Sequence, residues 1–423
     1  MANNCCIHTV RERDTICWIA NSFKVRLEDI MNLNPGVDLC NLKVGQELKI
    51  PCCGTGTPGP TRDSLTYLFG GTSNDYLNLI AQTKNSLKTV CPDYFDLTTA
   101  GNLVIAGSNK LNPGFINALH EQNIKVVPFI SNHWDRPTGE AALNNRQALS
   151  TQIAQAVMQN NLDGVDIDIE NVNHLFREQY TDFTRLLRQK LPAEKIVSVA
   201  VAANPNNWQT GWHGSYDYKA LSNYADYLMI MAYDEHYFGS APGPVASSDF
   251  FNRSIKFGLD QGVPKEKLIA GIPFFGRYWK EGESVGGWGL RARDVVYLLA
   301  NYPSTSRFDE PTKSAVAQVT IRPTDTPPVV LGNRTLTPGT YTIWYDDEQA
   351  TRYKLNVING FDLRGAGSWA LGQEIPAIWD FYTTALNEEK ITPTNVIVPP
   401  PHPAPIPEPI PIPAPGQLYS VFN

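Results

Sequence analysis

No stretch of this chain stays apolar for the roughly 20 residues that a helix needs to cross a bilayer, so the sequence offers no membrane span. The first residues, Met-Ala-Asn-Asn-Cys-Cys, carry neither the basic segment nor the apolar run of a secretory leader. Two readings stay open: a leader already removed, or an export route of another kind. Positive charge is not in excess either. Lys and Arg number 35 against 42 Asp and Glu, a formal net charge of −7, which gives no electrostatic reason to expect nucleic acid or an anionic membrane as partner. The seven histidines are scattered without metal-ligand spacing, and the CxxC pairs of common zinc modules are missing. No glycine-rich phosphate loop follows the first apolar run, which counts against a nucleotide-binding open sheet.

What is present is uneven in its distribution. Six of the seven cysteines, Cys5, Cys6, Cys17, Cys40, Cys52 and Cys53, fall in the first 53 residues, and Cys91 stands apart. A module of about 50 residues is small for a self-sufficient core and is often stapled. Disulfides, zinc, and reduced or intermolecular thiols all remain open, and six cysteines allow fifteen pairings that sequence does not choose between. Nine Trp and eighteen Tyr suit a protein that meets sugars, whose apolar faces stack on aromatic rings, although most aromatics in any globular protein are core.

Composition divides the chain into four parts. Residues 5–53 form the cysteine-rich module, and 54–61 are a Gly/Pro linker. Residues 62–388 alternate short apolar runs with amphipathic stretches. Residues 389–423 are proline-rich and favour an extended, solvated tail. In the third part the apolar runs are Leu65–Phe69, Ile124–Ile130, Gly164–Ile169, Ile196–Val201, Tyr227–Ala232, Leu268–Phe274 and Gly367–Ala370. An eighth, weaker run is placed near Phe95–Val104. Helical patterns such as Arg146–Gln159 and Phe176–Lys190 lie between them. This alternation predicts an α/β fold with a parallel sheet. The count suits a (β/α)8 TIM barrel, with a doubly wound sheet as the alternative. Residues 277–345 exceed a barrel step and predict a small insertion before the last strand.

The most informative stretch is Asp163-Gly-Val-Asp-Ile-Asp-Ile-Glu170. Side chains alternate along a strand, so Asp166, Asp168 and Glu170 share one face at roughly 7 Å per two-residue step. Val165, Ile167 and Ile169 then face the helices. Three acids inside a barrel would carry a heavy desolvation cost if they did nothing. Crowded carboxyls also raise one another's pKa, which lets one stay protonated as a general acid. Glu170 ends the strand, where barrel active sites open.

This stretch resembles the Asp-Gly-x-x-x-Asp-x-Glu signature of glycoside hydrolase family 18, and the resemblance extends over about residues 62–388. It implies substrate-assisted retaining catalysis, an exception to the two-carboxylate scheme of most glycosidases, and that mechanism requires neither a metal nor an organic cofactor. Glu170 would protonate the leaving oxygen and then activate water. Asp168 would orient the substrate acetamide, and Asp166 would share a proton or hydrogen bond with Asp168. Met231-Ala-Tyr-Asp234 resembles the family's Met-x-Tyr-Asp motif. Tyr233 would then bond the acetamide carbonyl, with Met231 and Asp234 lining the substrate site. Trp369 matches the tryptophan that floors the cleavage subsite, and Tyr67 and Phe69 are candidate pocket residues. Where many chitinases carry Ser-x-Gly-Gly after the third strand, this chain has Phe129-Ile-Ser-Asn132, a departure beside the acid row.

The first module reads as strand, helix, helix and strand, with Asp14 or Thr15 as a helix cap. Val10, Asp14-Thr15, Trp18-Ile19-Ala20, Asn34-Pro35, Val44-Gly45-Gln46 and Ile50-Pro51 make it resemble a LysM domain, a small α+β (βααβ) module. The resemblance implies binding of N-acetylglucosamine units through Asp14, Thr15, Ile16, Asn34 and Pro35. The stretches Tyr233–Ala246, Cys91-Pro-Asp-Tyr-Phe-Asp-Leu97 and Trp344-Tyr-Asp-Asp347 are similar to LysM-bearing family 18 proteins of spore formers. That implies a monomeric N-acetylglucosaminidase acting on peptidoglycan in the spore coat, cortex or cell wall. Chitin as the polymer, or a glycan-binding coat protein without catalysis, are the alternatives.

Overall fold

The computed structural model describes residues 5–10, 16, 19–20, 27–38, 42–51, 62–325, 329–331 and 334–387. Asp14, Thr15, Cys17, Cys40, Cys52, Cys53, the linker at 54–61 and the proline-rich tail lie outside the described residues. The chain divides into two compact units, one within the first 61 residues and one starting at Arg62.

In the first unit Cys5–Thr9 pairs antiparallel with Glu47–Pro51, from Cys5 against Pro51 to Thr9 against Glu47. A helix spans Leu27–Leu33, and Ile16, Ile19 and Ala20 are also helical. Val10, Ile16, Ile19, Ala20, Ile30, Leu48 and Ile50 form its core. Asn34 is buried. Its Nδ2 donates to the carbonyls of Ile30 and Lys49, each at 2.7 Å, and its Oδ1 accepts from the Lys49 N–H at 2.8 Å. The amide thus clamps the helix end to the closing strand. Of the three glycan-contact candidates described, Ile16 and Asn34 face inward and Pro35 is exposed.

The second unit is built on eight parallel strands. They are β1 (Asp63–Leu68), β2 (Thr89–Pro92), β3 in two segments (Lys125–Val126 and Phe129–Ser131), β4 (Gly164–Asp168), β5 (Ile196–Ala202), β6 (Tyr227–Met231), β7 (Leu268–Pro273) and β8 (Gly365–Trp369). Neighbours pair in chain order, and β8 returns to β1. The ring closes through β3, whose first segment pairs with β2 and whose second pairs with β4. Pro128 interrupts β3 because it has no N–H to give, but its carbonyl still accepts from the Asp166 N–H at 2.9 Å.

A helix follows each strand, among them Arg146–Gln159 after β3 and Arg177–Lys190 after β4. Several start at side chains that accept from the first turn: Thr72, Asn112, Asp217, Ser247 and Asp347. Such caps supply partners for amides that would otherwise have none. The strand period sorts the side chains as expected. Val165, Ile167 and Ile169 join the large core between sheet and helices. Leu65, Tyr67, Cys91, Phe129, Tyr227 and Met229 fill the barrel interior.

One strand assignment needs correction. The second barrel strand is Thr89–Pro92, whereas Phe95–Leu97 and Leu103–Ile105 form an antiparallel hairpin beside it. All four residues of β2 are buried, so it carries no alternation to betray it, and Pro92 ends it early. The insertion lies where expected, between β7 and β8. It is a five-stranded antiparallel sheet, whose strands run Phe275–Lys280, Trp288–Arg291, Ser304–Asp309, Ser314–Ile321 and Gly339–Tyr345. It has its own core around Tyr278, Leu298 and Ile343.

Two barrel strands begin at glycines pressed against a neighbouring backbone. A Cβ on Gly164 would lie 2.1 Å from the Ile196 carbonyl oxygen, and one on Gly365 would lie 1.9 Å from that of Asp63. Neither carbonyl can retreat without breaking the ladder. Gly164→Ala and Gly365→Ala are each expected to cost about 1–3 kcal/mol or more, read as a lowered melting temperature. An unchanged melt would show that the ring tolerates a wider strand spacing.

Candidate active site

The acid row is assembled by strand register. Ser198 of β5 stands opposite Asp166, and Ser131 of β3 stands opposite Asp168. In a parallel ladder opposed residues face the same side, so each carboxyl meets a hydroxyl. The Ser198 hydroxyl donates to Asp166 Oδ1 at 2.5 Å, and the Tyr67 hydroxyl donates to Oδ2 at 2.7 Å. Asp166 is buried. Burial pushes its carboxyl up and the two hydroxyls pull it partly back. Tyr67 is therefore an interior residue that holds Asp166, and it does not stand on the pocket wall. Phe69, two residues on, is half-buried at the strand end.

Asp168 is also buried, and its carboxyl is pushed well above the usual range. Burial is the main cause, and the charges of Glu170 and Asp166 add to it. His133 and a hydrogen bond from Ser131 act in the opposite sense. The physical result is a row that resists carrying one negative charge per carboxyl. Asp168 keeps its proton into a range where a free carboxyl has lost it.

Glu170 is half-buried at the end of this row, and its backbone is held on both sides. Asn132 donates from Nδ2 to the Glu170 carbonyl at 2.9 Å and accepts at Oδ1 from the Glu170 N–H at 2.8 Å. The preceding carbonyl, Ile169, accepts from the hydroxyls of Tyr180 at 3.1 Å and Tyr216 at 3.0 Å. The departure noted at Phe129–Asn132 is thus a working support, with Ser131 serving Asp168 and Asn132 serving Glu170.

The remaining candidates come from β6 and β8. Tyr233 stands edge-on to Phe275, with ring centroids 5.8 Å apart. Burial, with the nearby Asp168, Glu170, Asp234 and Asp166, raises its hydroxyl well above the ordinary phenol, so it remains an O–H donor. Met231, Tyr233 and Trp369 all pack against the interior cluster. The Trp369 ring lies 5.3 Å from Tyr67, 5.8 Å from Phe69 and 6.0 Å from Phe129, and the Trp369–Ala370 peptide is cis. Asp234 adopts a left-handed backbone, φ 62°, unfavourable for a residue with a Cβ. Arg277 of the insertion holds its Oδ1 through Nε and Nη2, both at 2.7 Å, and donates from Nη1 to the Gly287 carbonyl at 2.8 Å.

Sequence reasoning singled out the acids and the Tyr233-Asp234 pair. It missed Ser198, Tyr216 and Arg277 altogether, and read Asn132 only as a departure. Asn132 had one usable signal, its place just past a barrel strand, where site residues gather. Arg277 had none in its own neighbourhood. Among the described residues no group of three or more His, Cys, Asp or Glu could hold a metal ion, and no helix is long and apolar enough to cross a membrane.

The raised carboxyl of Asp168 has a consequence for stability. The folded state binds this proton more tightly than the unfolded state does. Its contribution is therefore fully present below about pH 4, the unfolded carboxyl range, and is lost as pH rises through the folded value. Asp168→Asn removes the ionisation and is expected to melt higher than the parent at pH 7, with the gap closing at pH 4. A variant that melts lower at pH 7 would show that Asp168 is stabilised as a carboxylate.

Comparison with known proteins agrees with this geometry. The family model "Glycosyl hydrolases family 18" matches residues 73–374, and the "LysM domain" model matches residues 8–51. The putative sporulation-specific glycosylase YdhD of Bacillus subtilis is 26% identical over 376 residues, 86% of this chain and 84% of that one. The cortical fragment-lytic enzyme of the same organism is 24% identical over 446 residues, 91% of this chain and 99% of that one. Among solved structures, the spore cortex-lytic enzyme SleL of Bacillus cereus has a TM-score of 0.70 at 20% identity, over 90% of this chain and 86% of that one. A chitinase from Chromobacterium violaceum has a TM-score of 0.65 at 24% identity, over 77% and 98%. These two structural likenesses are likenesses of fold. With a matching family model over most of its length, an eight-stranded barrel and three carboxyls in line along β4 and just past its end, the chain belongs to the glycosyl hydrolases of family 18.

Proposed function

We propose that this protein hydrolyses the β-1,4 bond that follows N-acetylglucosamine in peptidoglycan, with the spore cortex as its setting and the LysM unit tethering it to the glycan. The observation that carries the chemistry is the row of carboxyls ending at Glu170, whose peptide is gripped by Asn132. A general acid must be held in place relative to the bond it cleaves, and this one is.

The steps follow from the residues. Glu170 gives its proton to the glycosidic oxygen as the bond to the anomeric carbon breaks. The carbonyl oxygen of the substrate's own acetamide forms the new bond to that carbon, giving an oxazolinium ion. Asp168 orients the acetamide and, as its proton passes toward Asp166, offsets the positive charge that develops. Tyr233 donates to the acetamide oxygen and keeps it aimed. Glu170, now a carboxylate, takes a proton from water as the water oxygen attacks the anomeric carbon and the bond from that carbon to the acetamide oxygen breaks, so the acetamide is restored and configuration is retained. Asp166, fixed by Tyr67 and Ser198, shares a proton or hydrogen bond with Asp168. Trp369 provides the apolar floor, and Asp234 with Met231 lines the same site.

Both modules indicate a glycan as the molecule bound. The choice of peptidoglycan rests on extent. The cortical fragment-lytic relative aligns over nearly its whole length, whereas the chitinase fold accounts for 77% of this chain. Chitin is the second reading, since both polymers contain N-acetylglucosamine and the acid row suits either.

Mass spectrometry of products from muramic-lactam peptidoglycan and from chitin oligomers tests this directly. Fragments with reducing-end N-acetylglucosamine are expected from peptidoglycan, and Glu170→Gln should reduce their release by about 10²–10⁴-fold. Cleavage of chitin oligomers alone would transfer the protein to the second reading. Asn132→Ala should lower kcat on the same substrate by about 10²-fold with little change in KM, because it displaces the acid without removing a substrate contact. A rise in KM alone would place Asn132 in binding.

A further inference from the structure

Just past β3 the chain closes a tight turn, in which the Asp135 N–H donates to the Asn132 carbonyl at 2.9 Å. Both central residues are left-handed, His133 at φ 48° and Trp134 at φ 64°. Such positions favour glycine and asparagine, yet two bulky rings stand here. Side chains on both flanks hold them. Asn132 Nδ2 donates to the Asp135 carbonyl and Asn171 Nδ2 to the Trp134 carbonyl, each at 2.9 Å. Backbone strain of this kind gathers where it contributes to a site.

The turn sets His133 against the hairpin beside β2, with Nε2 3.1 Å from Asp96 Oδ2. The same residue meets the acid row. Its N–H donates to the Ser131 hydroxyl oxygen at 3.0 Å, which leaves the Ser131 proton for Asp168. Its ring is close enough to Asp168 for the charge of each to favour that of the other. The hydrogen bond to Asp96 raises His133 above the ordinary imidazole, burial works against this, and the charges of Asp96, Asp168 and Asp93 add to the rise. Burial would raise Asp96, but His133, the Leu97 N–H at 2.7 Å and Lys110 together hold it below the usual carboxylate range. The charged groups facing His133 are thus Asp96 and Asp93, Lys110 with its Nζ 2.5 Å from Asp93 Oδ2, and Asp168 with Glu170 beyond it. On its own segment Asp135 accepts from the Thr138 N–H at 3.1 Å, and Arg136 donates to Asn171. At 35% and 52% side-chain exposure, the His133–Asp96 pair adds little to stability, which makes holding down the hairpin a weak reason for the strained turn.

We propose that His133, held by Asp96, is a positioning residue for the reaction, its positive charge favouring Asp168 as a carboxylate when the oxazolinium ion forms. This rests on the function proposed above and adds a group to it. Asp168 must pass its proton toward Asp166 at that step, against burial and the charges of Glu170 and Asp166. A permanent cation at this place would strip the proton from the resting enzyme. An imidazolium partly balanced by Asp96 eases the step without doing so.

The two halves of the pair carry opposite charge, so removing each in turn in the full chain separates charge from structure. His133→Asn, whose new side chain tolerates a left-handed backbone, removes the cation and should move the acidic limb of kcat/KM to higher pH. Asp96→Asn removes the balancing carboxylate and should move that limb to lower pH. The substrate is muramic-lactam peptidoglycan or chitin oligomers, whichever the parent cleaves. At the pH where the parent has half its maximum, His133→Asn is expected about 2- to 5-fold lower, relative to its own plateau, and Asp96→Asn up to about 2-fold higher. Displacement of both variants in one direction, or of neither, would overturn the proposal, because a merely structural pair loses the same contact either way. A parent inactive on both polymers would remove the proposed function instead. Carbon-13 NMR of the Asp168 carboxyl, identified by the signal lost in Asp168→Asn, then decides without substrate. Its midpoint should rise in His133→Asn and fall in Asp96→Asn, and a midpoint that stays in place would refute the coupling.

Discussion

Three carboxyl groups crowd one face of one strand inside a closed barrel, and most of the site's architecture answers to the cost of keeping them there. An isolated buried carboxylate is unfavourable by several kcal/mol, and neighbours of like sign make it worse. The chain meets this in two ways. It surrounds the inner acids with hydroxyl donors, Tyr67 and Ser198 on Asp166 and Ser131 on Asp168. It also lets the middle carboxyl keep a proton rather than stabilise a third charge. Neutral donors do this better than cations would. A Lys or Arg beside Asp168 would hold it permanently as a carboxylate, and the row would lose the protonation changes on which acid catalysis draws.

Parallel pairing makes such a solution possible with few residues. Because opposed residues point to the same side, a serine at the matching register of β5 or β3 reaches its acid without any loop. The rigidity of the ring then carries over to the acid that acts. Ile169 and Glu170 sit just past the hydrogen-bonded part of β4, where backbone groups lose their ladder partners. Tyr180, Tyr216 and Asn132 take over those positions from three separate elements. The strand in effect continues for two residues on side-chain bonds, so the acid keeps the order of a sheet at the mouth of a cleft.

The parts of this arrangement that were legible in the sequence are those written in a local period. Alternation along Gly164–Ile169 assigned each side chain to its correct side, and the strand–helix rhythm indicated the barrel. Where the information lies in the pairing of distant segments, one sequence shows little. Tyr67 reads as a pocket aromatic until β1 is placed, when its hydroxyl proves to be spent on Asp166. Asn132 reads as a departure until β3 lies beside β4. Likewise Asn34 reads as a sugar contact, but its amide is spent on the closing strand of its own module. The strand Thr89–Pro92 escaped for a different reason. Four residues buried on every side have no polar face, and the more regular text of Phe95–Val104 drew the assignment away.

The insertion shows how the barrel and its addition depend on each other. Its first strand, Phe275–Lys280, starts two residues after β7 ends, so Arg277 is positioned by the barrel before the rest of the insertion is reached. That arginine is buried and serves two masters, Asp234 on one side and the Gly287 carbonyl on the other. Asp234 follows Tyr233 directly, and its left-handed backbone turns the chain away at the end of β6. A conformation of that kind costs on the order of 1 kcal/mol or more and persists only where its surroundings impose it. The paired bonds from Arg277 impose it here, and they thereby fix the turn that aims Tyr233 toward the acid row. The insertion is thus a structural part of the cleft wall, because removing it would leave both Asp234 and the turn behind Tyr233 without their restraint.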